Sequence, residues 1–490
     1  MPSRQRPRIA IIGAGFGGLA AAIELKKAGY DDVVIFERGD DVGGVWRENT
    51  YPGAACDVPS PLYSFSFEPN RAWPRRYSPQ HAILDYLRQS ANKYAVTPHI
   101  RFNTEILSAE FDSALNRWLL TTGDRGIAHA DVVISAVGQL SRPAWPDIDG
   151  RDSFGGIAFH SAQWQHSVDL EGKRVAVIGT GASAVQFVPE IQPRVQRLVL
   201  FQRSAPYLLP RLDTLFADWQ QTVLGVLPFI QKVERAAWWV LGELVGTAFL
   251  KSKLLSRAVE GTSRWHMQRQ LDGSDLMDVL WPHYPIGCKR VLFSSNYLPA
   301  VRQPNVDVIT DRIVEITPTG IRTHDGTLHE VDVIIYGTGF KATDFLAPMT
   351  VTGPAGRDLH QQWTDGASAY LGIAIPGYPN LFLMYGPNTN LGSGSIVYMH
   401  ECQARYIRQA IDTLRPGAAV VVRDDIADGY DTHIQASTQD GVWSHCSNWY
   451  RTASGRVVAN WPGTQAAYHR QTRTFDARDY QRLHLTSPRP

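Results

Sequence analysis

The chain has few cysteines and almost no net charge. Only four cysteines, at positions 56, 288, 402 and 446, occur among 490 residues, and they form neither a CxxC pair nor a disulfide-rich pattern. This distribution argues against a disulfide-stapled secreted scaffold and predicts a protein of the reducing cytoplasm. The formal net charge of +1 gives no overall field that favours nucleic acid, acidic lipid or another charged partner. We therefore expect no nucleic-acid partner, and no metal site is predicted.

Long apolar runs are missing as well. The most apolar stretch, 236–250, is shorter than a bilayer span of about 20 residues and contains Glu243. It is compatible with a buried helix, with the lining of an apolar tunnel, or with a shallow membrane contact that has Trp238 and Trp239 at the interface. We predict the buried helix, and no stable membrane span. The chain begins almost directly with a strand-like run, so we also expect no signal peptide.

Two glycine-rich turns stand out among the features that are present. GAGFGG at 13–18 and GTGASA at 179–184 each follow an apolar strand-like run and precede a helical pattern. A charged residue ends the next apolar run 24 residues after each first glycine, Glu37 in one case and Arg203 in the other. In a βαβ unit this residue meets the adenosine ribose, where a carboxylate bonds free hydroxyls and a guanidinium pairs with a 2′-phosphate. The first turn therefore predicts FAD or NAD, and the second predicts NADP.

Both turns have a less specific interpretation, in which Glu37 and Arg203 are ordinary solvated charges. The second turn also departs from the fingerprint, because Ala184 replaces its third glycine. We expect the helix and strand to sit slightly further apart there, a variation that the fingerprint admits.

A second internal repeat supports two nucleotide-binding units. DVVISAVG at 131–138 is similar to DVIIYGTG at 332–339, and each has the composition of a buried closing strand. The chain between glycine turn and closing strand is longer in the second unit, and the helical pattern at about 211–270 accounts for the extra residues. We interpret that pattern as a helical insertion.

The C-terminal third contains a strand-like run at 380–385 and a helix pattern from about 396 to 414. It can complete the first unit. The predicted fold is therefore α/β, with two Rossmann-like dinucleotide-binding domains, the NADP domain being inserted in the FAD domain. The expected boundaries are 1–143 for the first part of the FAD domain, 144–340 for the NADP domain with its insertion, and 341–490 for the second part of the FAD domain.

Three motifs add a family resemblance that covers nearly the whole chain. They are FxGxxxHxxxW at 154–164, GGxWxxxxYPGxxxD at 43–57 and GTGF at 337–340. With them the chain resembles the flavoprotein monooxygenases and, among these, the type I Baeyer-Villiger monooxygenases. Trp164 favours this group over the N- and S-oxygenating flavin monooxygenases, which usually carry Tyr or Phe there. Gln165 departs from the Pro or Asp that ends the family fingerprint.

The resemblance implies FAD and NADPH as cofactors and O2 as a reactant, with a ketone, or a sulfide in a side reaction, as the substrate. NADPH would reduce the flavin, a C4a-peroxyflavin would attack the ketone carbonyl, and an ester or lactone would form while NADP⁺ stays bound. The peroxide must remain anionic, so the site needs a permanent cation. The segment YPIGCKR at 284–290 resembles the one that carries the family's catalytic arginine, which assigns that role to Arg290 and the role of its acidic partner to Asp57.

Further residues are expected to bind the cofactors. Lys289, Arg203 and Ser204 resemble the group that holds the 2′-phosphate of NADPH. Trp46 and Tyr51 belong to the segment that covers the flavin, whereas His160 and Trp164 are expected to be structural residues of the linker. The cofactor-binding set on the FAD side is Gly13, Gly15, Phe16, Gly18, Glu37, Gly44, Val45, Trp46, Tyr51, Asp57, Tyr63 and Asn388. On the NADP side it is Gly179, Thr180, Gly181, Ala182, Ser183, Arg203, Ser204 and Lys289.

Other functions remain as alternatives. A flavin monooxygenase that oxygenates amines or sulfides shares most of these motifs. A pyridine nucleotide disulfide reductase also binds two dinucleotides, but it needs a cysteine pair beside the flavin and no two of the four cysteines are close in sequence. A non-catalytic redox sensor is the remaining alternative. The sequence does not specify the oligomeric state.

Overall fold

The computed structural model describes residues 6–217, 228–272, 274–439 and 441–484. Positions 218–227 of the predicted helical insertion therefore lie outside the described residues. The α-helices are α1 Phe16–Lys27, α2 Val45–Glu48, α3 Gln80–Lys93, α4 Ala182–Ile191, α5 Pro228–Lys251, α6 Lys253–Leu271, α7 Leu276–Leu280, α8 Tyr297–Val301, α9 Leu359–Gln362, α10 Ile396–Asp412, α11 Asp424–Gln439 and α12 Gln465–Thr472.

The strands, in chain order, are β1 Ile9–Ile12, β2 Val33–Phe36, β3 Ile100–Arg101, β4 Ile106–Asp112, β5 Arg117–Thr122, β6 Ile127–Ala130, β7 Val132–Ser135, β8 Ile157–His160, β9 Arg174–Ile178, β10 Arg197–Phe201, β11 Leu208–Leu209, β12 Leu292–Phe293, β13 Val306–Ile309, β14 Ile313–Thr317, β15 Gly320–Thr323, β16 Leu328–Glu330, β17 Val333–Tyr336, β18 Thr350–Thr352, β19 Leu381–Leu383, β20 Ala418–Val422 and β21 Tyr480–His484.

A parallel sheet in the order β19-β7-β1-β2-β3 uses strands from both ends of the chain. The central strand β1 is fully buried, and its Ile9 pairs with Val33 on one side and Val132 on the other. Strands buried on both faces are near-continuous apolar runs, which explains the composition of β1 and β7. Helices α1 and α10 pack together against this sheet. The repeat at 131–138 is thus the strand beside the first glycine turn, as predicted.

A second parallel sheet, in the order β13-β10-β9-β17-β8, contains only strands from the middle of the chain. Its β9 pairs with β10 and β17, so the repeat at 332–339 occupies the same position beside the second glycine turn. The fold is therefore mixed α/β with parallel sheets. Smaller sheets surround these two, in the orders β18-β4-β5-β6, β14-β15-β16, β11-β12 and β20-β21.

Helix α5 contains the whole apolar 236–250 stretch, and it is not the buried helix that we predicted. Its outward face exposes apolar side chains, among them Phe229 (59%), Val233 (64%) and Leu244 (59%). The opposite face is held by polar contacts: Arg235 Nη1 donates to the Pro61 carbonyl oxygen at 2.7 Å, and Glu243 Oε1 accepts from the Gln465 backbone N–H at 2.8 Å. Among the described residues no helix is both long and apolar enough to cross a membrane.

One disulfide joins Cys288 to Cys446, which are 158 residues apart in the sequence. Cys56 and Cys402 are free and buried. The sequence did not predict this pair, because its members are distant in the chain and only the fold brings their Cα atoms to 6.2 Å.

Candidate active site

The first glycine turn brings the backbone close to the strand behind it. Gly13 has a φ of +104°, and a Cβ atom there would lie 2.6 Å from the Ala136 carbonyl oxygen. A Cβ atom at Gly18 would lie 1.9 Å from the Gly13 carbonyl oxygen. A side chain at either position would therefore push α1 away from the sheet. No side chain caps the N-terminus of α1, so its first backbone N–H groups suit a pyrophosphate.

Glu37 is buried at the end of β2 and ties the turn to the sheet. Its Oε2 accepts from the Ala14 N–H at 2.8 Å, and its Oε1 accepts from the Gly39 N–H at 2.9 Å. Arg47 Nη1 also donates to Oε1, at 3.0 Å, and this partner was not predicted. A carboxylate has about four acceptor positions. Three of these positions are used within the turn, so the carboxylate of Glu37 can still accept a hydrogen bond from the predicted ribose.

The second glycine turn repeats this arrangement. Gly179 has a φ of +109°, and a Cβ atom there would lie 2.5 Å from the Gly337 carbonyl oxygen. Ala184, in place of the third glycine, is completely buried. Its methyl group occupies the position where Gly18 has no room for one. The second turn therefore accommodates a methyl group at the position of the third glycine.

Cationic groups meet at the end of β10. Lys289 Nζ donates to Ser204 Oγ at 2.7 Å, and Thr180 Oγ1 donates to the Ser204 carbonyl oxygen at 3.0 Å. Burial lowers the pKa of Lys289, and the nearby positive charge of Arg203 lowers it further. Two cations that repel each other beside a hydroxyl group suit a bound anion with two negative charges.

Arg290 and Asp57 form a two-pronged ion pair. Arg290 Nε donates to Asp57 Oδ2 at 2.9 Å and Nη2 donates to Oδ1 at 2.8 Å, so that Nη1 remains outside the pair. The side chains are 35% and 23% exposed, respectively. The negative charge of Asp57 raises the pKa of Arg290 despite its desolvation. The pair therefore fixes both the orientation and the positive charge of the guanidinium group.

The YPG segment reaches from the first glycine turn to the second unit. Tyr51 OH donates to Gln186 Oε1 of α4 at 2.9 Å, and Gln186 Nε2 donates to the Ala55 carbonyl oxygen at 2.9 Å. Trp46 Nε1 donates to Tyr63 OH at 3.1 Å. Trp46 and Tyr63 thus form one aromatic pair on the side of the first sheet, whereas Tyr51 connects the two sides.

His160 and Trp164 do not line the cavity that connects the two glycine turns. His160 is completely buried at the end of β8, where its Nδ1 accepts from the Ala162 N–H at 3.1 Å. Its ring lies between Trp145 and Phe340, and burial lowers its pKa to about 4. Trp164 packs against the ring of Phe187. These positions agree with the expected structural roles.

One cavity of about 1360 Å³ connects both glycine turns, the cationic group and the Arg290–Asp57 pair. Its lining includes the predicted residues Gly13, Gly15, Phe16, Glu37, Gly44, Val45, Trp46, Tyr51, Asp57, Tyr63, Gly179, Thr180, Gly181, Ala182, Ser183, Arg203, Ser204, Lys289 and Arg290. Gly18 and Asn388 are the two predicted residues that are not part of the lining.

Asn388 is buried, and its amide is engaged elsewhere. Its Nδ2 donates to the carbonyl oxygens of Val457 at 2.8 Å and Asn460 at 3.0 Å. The amide nitrogen is thus directed into the C-terminal segment, and the cofactor contact of Asn388 stays a prediction. Gly18 contributes by allowing α1 to approach the turn.

Sequence reasoning missed several residues of the lining. Gln186, Tyr385, Asn448 and Trp449 all face the cavity, yet none belongs to a motif used in the sequence analysis. Tyr385 OH donates to Asn390 Oδ1 at 2.6 Å, and both follow β19. For Tyr385 and Asn390 the only available signal was the strand-like run at 380–385, which Tyr385 ends and Asn390 follows.

The sequence is similar to those of known proteins. The sequence model of the family described as flavin-binding monooxygenase-like matches residues 6–224. A Baeyer-Villiger monooxygenase of Streptomyces coelicolor is 43% identical over 97% of this chain and 92% of its own length. One of Pseudomonas aeruginosa is 42% identical over 98% of this chain and 92% of its own length.

Solved structures are also similar. The crystal structure of OTEMO in complex with FAD and NADP has a TM-score of 0.87 and 25% sequence identity, covering 98% of this chain and 100% of that one. The match covers nearly the whole chain and therefore includes the strands of both parallel sheets. The chain belongs to the Baeyer-Villiger monooxygenases.

Proposed function

We propose that this chain is a flavoprotein monooxygenase that uses FAD, NADPH and O2 to insert one oxygen atom next to a ketone carbonyl, giving an ester or lactone. The observation that carries the proposal is the Arg290–Asp57 pair, which lies in the same cavity as both glycine turns. When bound, FAD supplies the redox chemistry that activates dioxygen. The task of the protein is to hold charge and exclude water around that reaction.

The residues present fit two dinucleotides. Gly15 and Gly44 face each other across the cavity wall, where a Cβ atom at Gly44 would lie 3.2 Å from the Gly15 Cα atom, so this stretch of backbone remains bare. The cavity volume of about 1360 Å³ exceeds the roughly 300–1,000 Å³ of a pocket for one small ligand. We assign FAD to the turn with Glu37, and NADPH to the turn with Arg203, Ser204 and Lys289.

The proposed domain division follows the two sheets. We assign 1–143 and 341–490 to an FAD-binding domain and 144–340 to an inserted NADP-binding domain with a helical insertion at about 211–270. In support, the first sheet takes strands from Ile9 to Ser135 and then Leu381–Leu383, whereas the second takes strands only between Ile157 and Tyr336. Both would be Rossmann-like, with each dinucleotide at the carboxyl ends of its parallel strands.

Arg290 is the proposed catalytic cation, and Asp57 orients it. A fixed guanidinium group stabilises negative charge on oxygen, first on the activated oxygen nucleophile and then on the oxyanion formed at the ketone carbonyl. Because Asp57 occupies Nε and Nη2, we assign the contact with these oxygens to Nη1. The ketone approaches from the side of Leu391 and Trp443, where a second small cavity adjoins Arg290. We also place the enzyme in the cytoplasm, consistent with its few cysteines.

The test is oxygen-dependent turnover by the purified holoenzyme. Matched ketones, sulfides and amines are incubated with NADPH under air, and products are identified by mass. A secondary alcohol with the same carbon skeleton as the ketone is the control, since it has no carbonyl carbon to attack. We expect an ester from the ketone with a gain of one oxygen atom. Oxidation of only the sulfide or amine would assign the chain to heteroatom oxygenation, and a protein that binds no FAD would refute the proposal entirely.

A further inference from the structure

The disulfide connects two segments that both line the cavity. Cys288 is followed directly by Lys289 and Arg290, and Cys446 is followed by Ser447, Asn448 and Trp449. All five of these following residues line the large cavity. The only covalent cross-link among the described residues therefore joins the segment with the proposed catalytic arginine to the loop at 446–449.

Asn448 connects the same two segments without a covalent bond. Its Nδ2 donates within the loop to the Trp443 carbonyl oxygen at 2.8 Å and lies 4.0 Å from the sulfur of Cys288. Burial raises the pKa of the Tyr450 hydroxyl group to about 12, and the nearby positive charge of Arg290 opposes this rise. Arg290 is thus held directly by Asp57 and, through the neighbouring Cys288, by the disulfide.

We propose that Cys288 and Cys446 are positioning residues for Arg290, and that their disulfide is a redox-controlled staple; this inference rests on the proposed function. With the bond closed, the loop at 446–449 and the Arg290 segment cannot separate, and water is excluded from the oxygen chemistry. With the bond reduced, no covalent bond joins the loop to the Arg290 segment, and the two segments can move relative to each other. A small displacement of the Arg290 guanidinium group from the reacting oxygen slows oxygen transfer. More NADPH is then consumed without product.

Hydrogen peroxide is the oxidant of the two thiols. A monooxygenase that fails to transfer its activated oxygen releases hydrogen peroxide, here beside the loop at 446–449. Cys446 is half buried, whereas Cys288 is completely buried, so Cys446 reacts first. Its thiolate attacks the peroxide, the O–O bond breaks, water leaves and a sulfenic acid forms. The Cys288 thiol then attacks that sulfur, the S–O bond breaks and a second water leaves. Two thiols lose two electrons, and one peroxide becomes two waters.

This chemistry is compatible with a reducing compartment. Disulfides of cytoplasmic proteins, when they occur, are usually transient and redox-sensing. A dithiol would reopen the staple, and peroxide from uncoupled turnover would close it again. The peroxide released by uncoupled turnover would therefore close the disulfide that restores coupling.

The first test does not depend on catalysis. The full-length protein is treated with hydrogen peroxide, denatured without reductant, alkylated and analysed by mass spectrometry. We expect alkylation at Cys56 and Cys402 only, a cross-linked peptide that contains Cys288 and Cys446, and alkylation of all four cysteines after dithiothreitol. Alkylation of all four without reductant would overturn the proposal, whatever the outcome of the activity assays.

The second test measures coupling, defined as product formed per NADPH consumed. Treatment of the wild type with dithiothreitol should lower coupling several-fold, and peroxide should restore it after the reductant is removed. The Cys446→Ser variant should have the low value in both redox states, whereas Cys402→Ser, which removes a buried cysteine outside the cavity lining, should behave like the wild type. FAD reduction by NADPH should be unchanged in all of them. Equal coupling in the oxidised and reduced wild type would refute the positioning role, and because it uses no variant, this comparison holds even if Cys446→Ser fails to fold.

Discussion

Replacing Arg203 by alanine should change the nucleotide preference of the enzyme. Arg203 is exposed at the end of β10, next to Ser204 and close enough to Lys289 to lower its pKa. A hydrogen bond to a charged group contributes about 1.5–3 kcal/mol. With about 1.4 kcal/mol for each factor of ten, kcat/KM for NADPH should fall about 10- to 150-fold. NADH has no 2′-phosphate, so its kcat/KM should remain nearly constant and the preference should fall by the same factor.

The assay is anaerobic reduction of the bound flavin, followed by absorbance, with NADPH and NADH in parallel. Arg197→Ala is the matched control, because Arg197 begins the same strand and is about half exposed, paired with Asp307. We expect Arg197→Ala to leave the ratio of the two nucleotides unchanged. Equal losses for NADPH and NADH in Arg203→Ala, or no loss for either, would show that the 2′-phosphate binds elsewhere.

Three further predictions follow from the site and its surroundings. Arg290→Ala should retain FAD and be reduced by NADPH at the normal rate, yet lose about 10²–10³-fold in ester formation; wild-type ester yield would remove Arg290 from the mechanism. Glu37→Gln replaces a carboxylate that bonds two backbone N–H groups and Arg47, so FAD binding should weaken by about 1–3 kcal/mol, measured by flavin fluorescence on dilution; undiminished FAD affinity would contradict this. Burial lowers the pKa of His160 to about 4 from 6.5, so its stabilising contribution is complete above pH 6.5 and falls by about 1.4 kcal/mol per pH unit towards pH 4; His160→Asn should flatten the fall of Tm between pH 6.5 and 4, whereas exposed His81→Asn should not, and parallel profiles for all three proteins would argue against the shift.

The predictable parts of the site are those that depend on local backbone geometry. The close approach of Gly13 to the Ala136 carbonyl oxygen leaves no space for a side chain. Only glycine fits there, so the contact is visible in the sequence as a glycine. The spacing to Glu37 is similarly local, because one helix and one strand separate it from the turn. The closing strands were recognisable because strands buried on both faces must be apolar throughout.

The parts that could not be predicted depend on which segments the fold brings together. Gln186 meets Tyr51, and Cys288 meets Cys446, across long stretches of sequence with no periodic signal. The prediction that helix α5 is buried was wrong for another reason. Apolar composition does not reveal which face of a helix the rest of the protein covers. The orientation of Asn388 was not predictable from the sequence, because a turn residue can direct its amide towards either side.

The contact between the YPG segment and α4 determines how the cleft can open. Gly53 has a φ of +76°, and a Cβ atom there would lie 2.6 Å from the Gln186 carbonyl oxygen, while the Gln186 amide bonds both Tyr51 and Ala55. This stretch of the N-terminal segment is therefore clamped to the helix that follows the second glycine turn. If α4 moved away from the first sheet, the YPG segment would have to move with it. The nicotinamide and flavin sites would then open together and not independently.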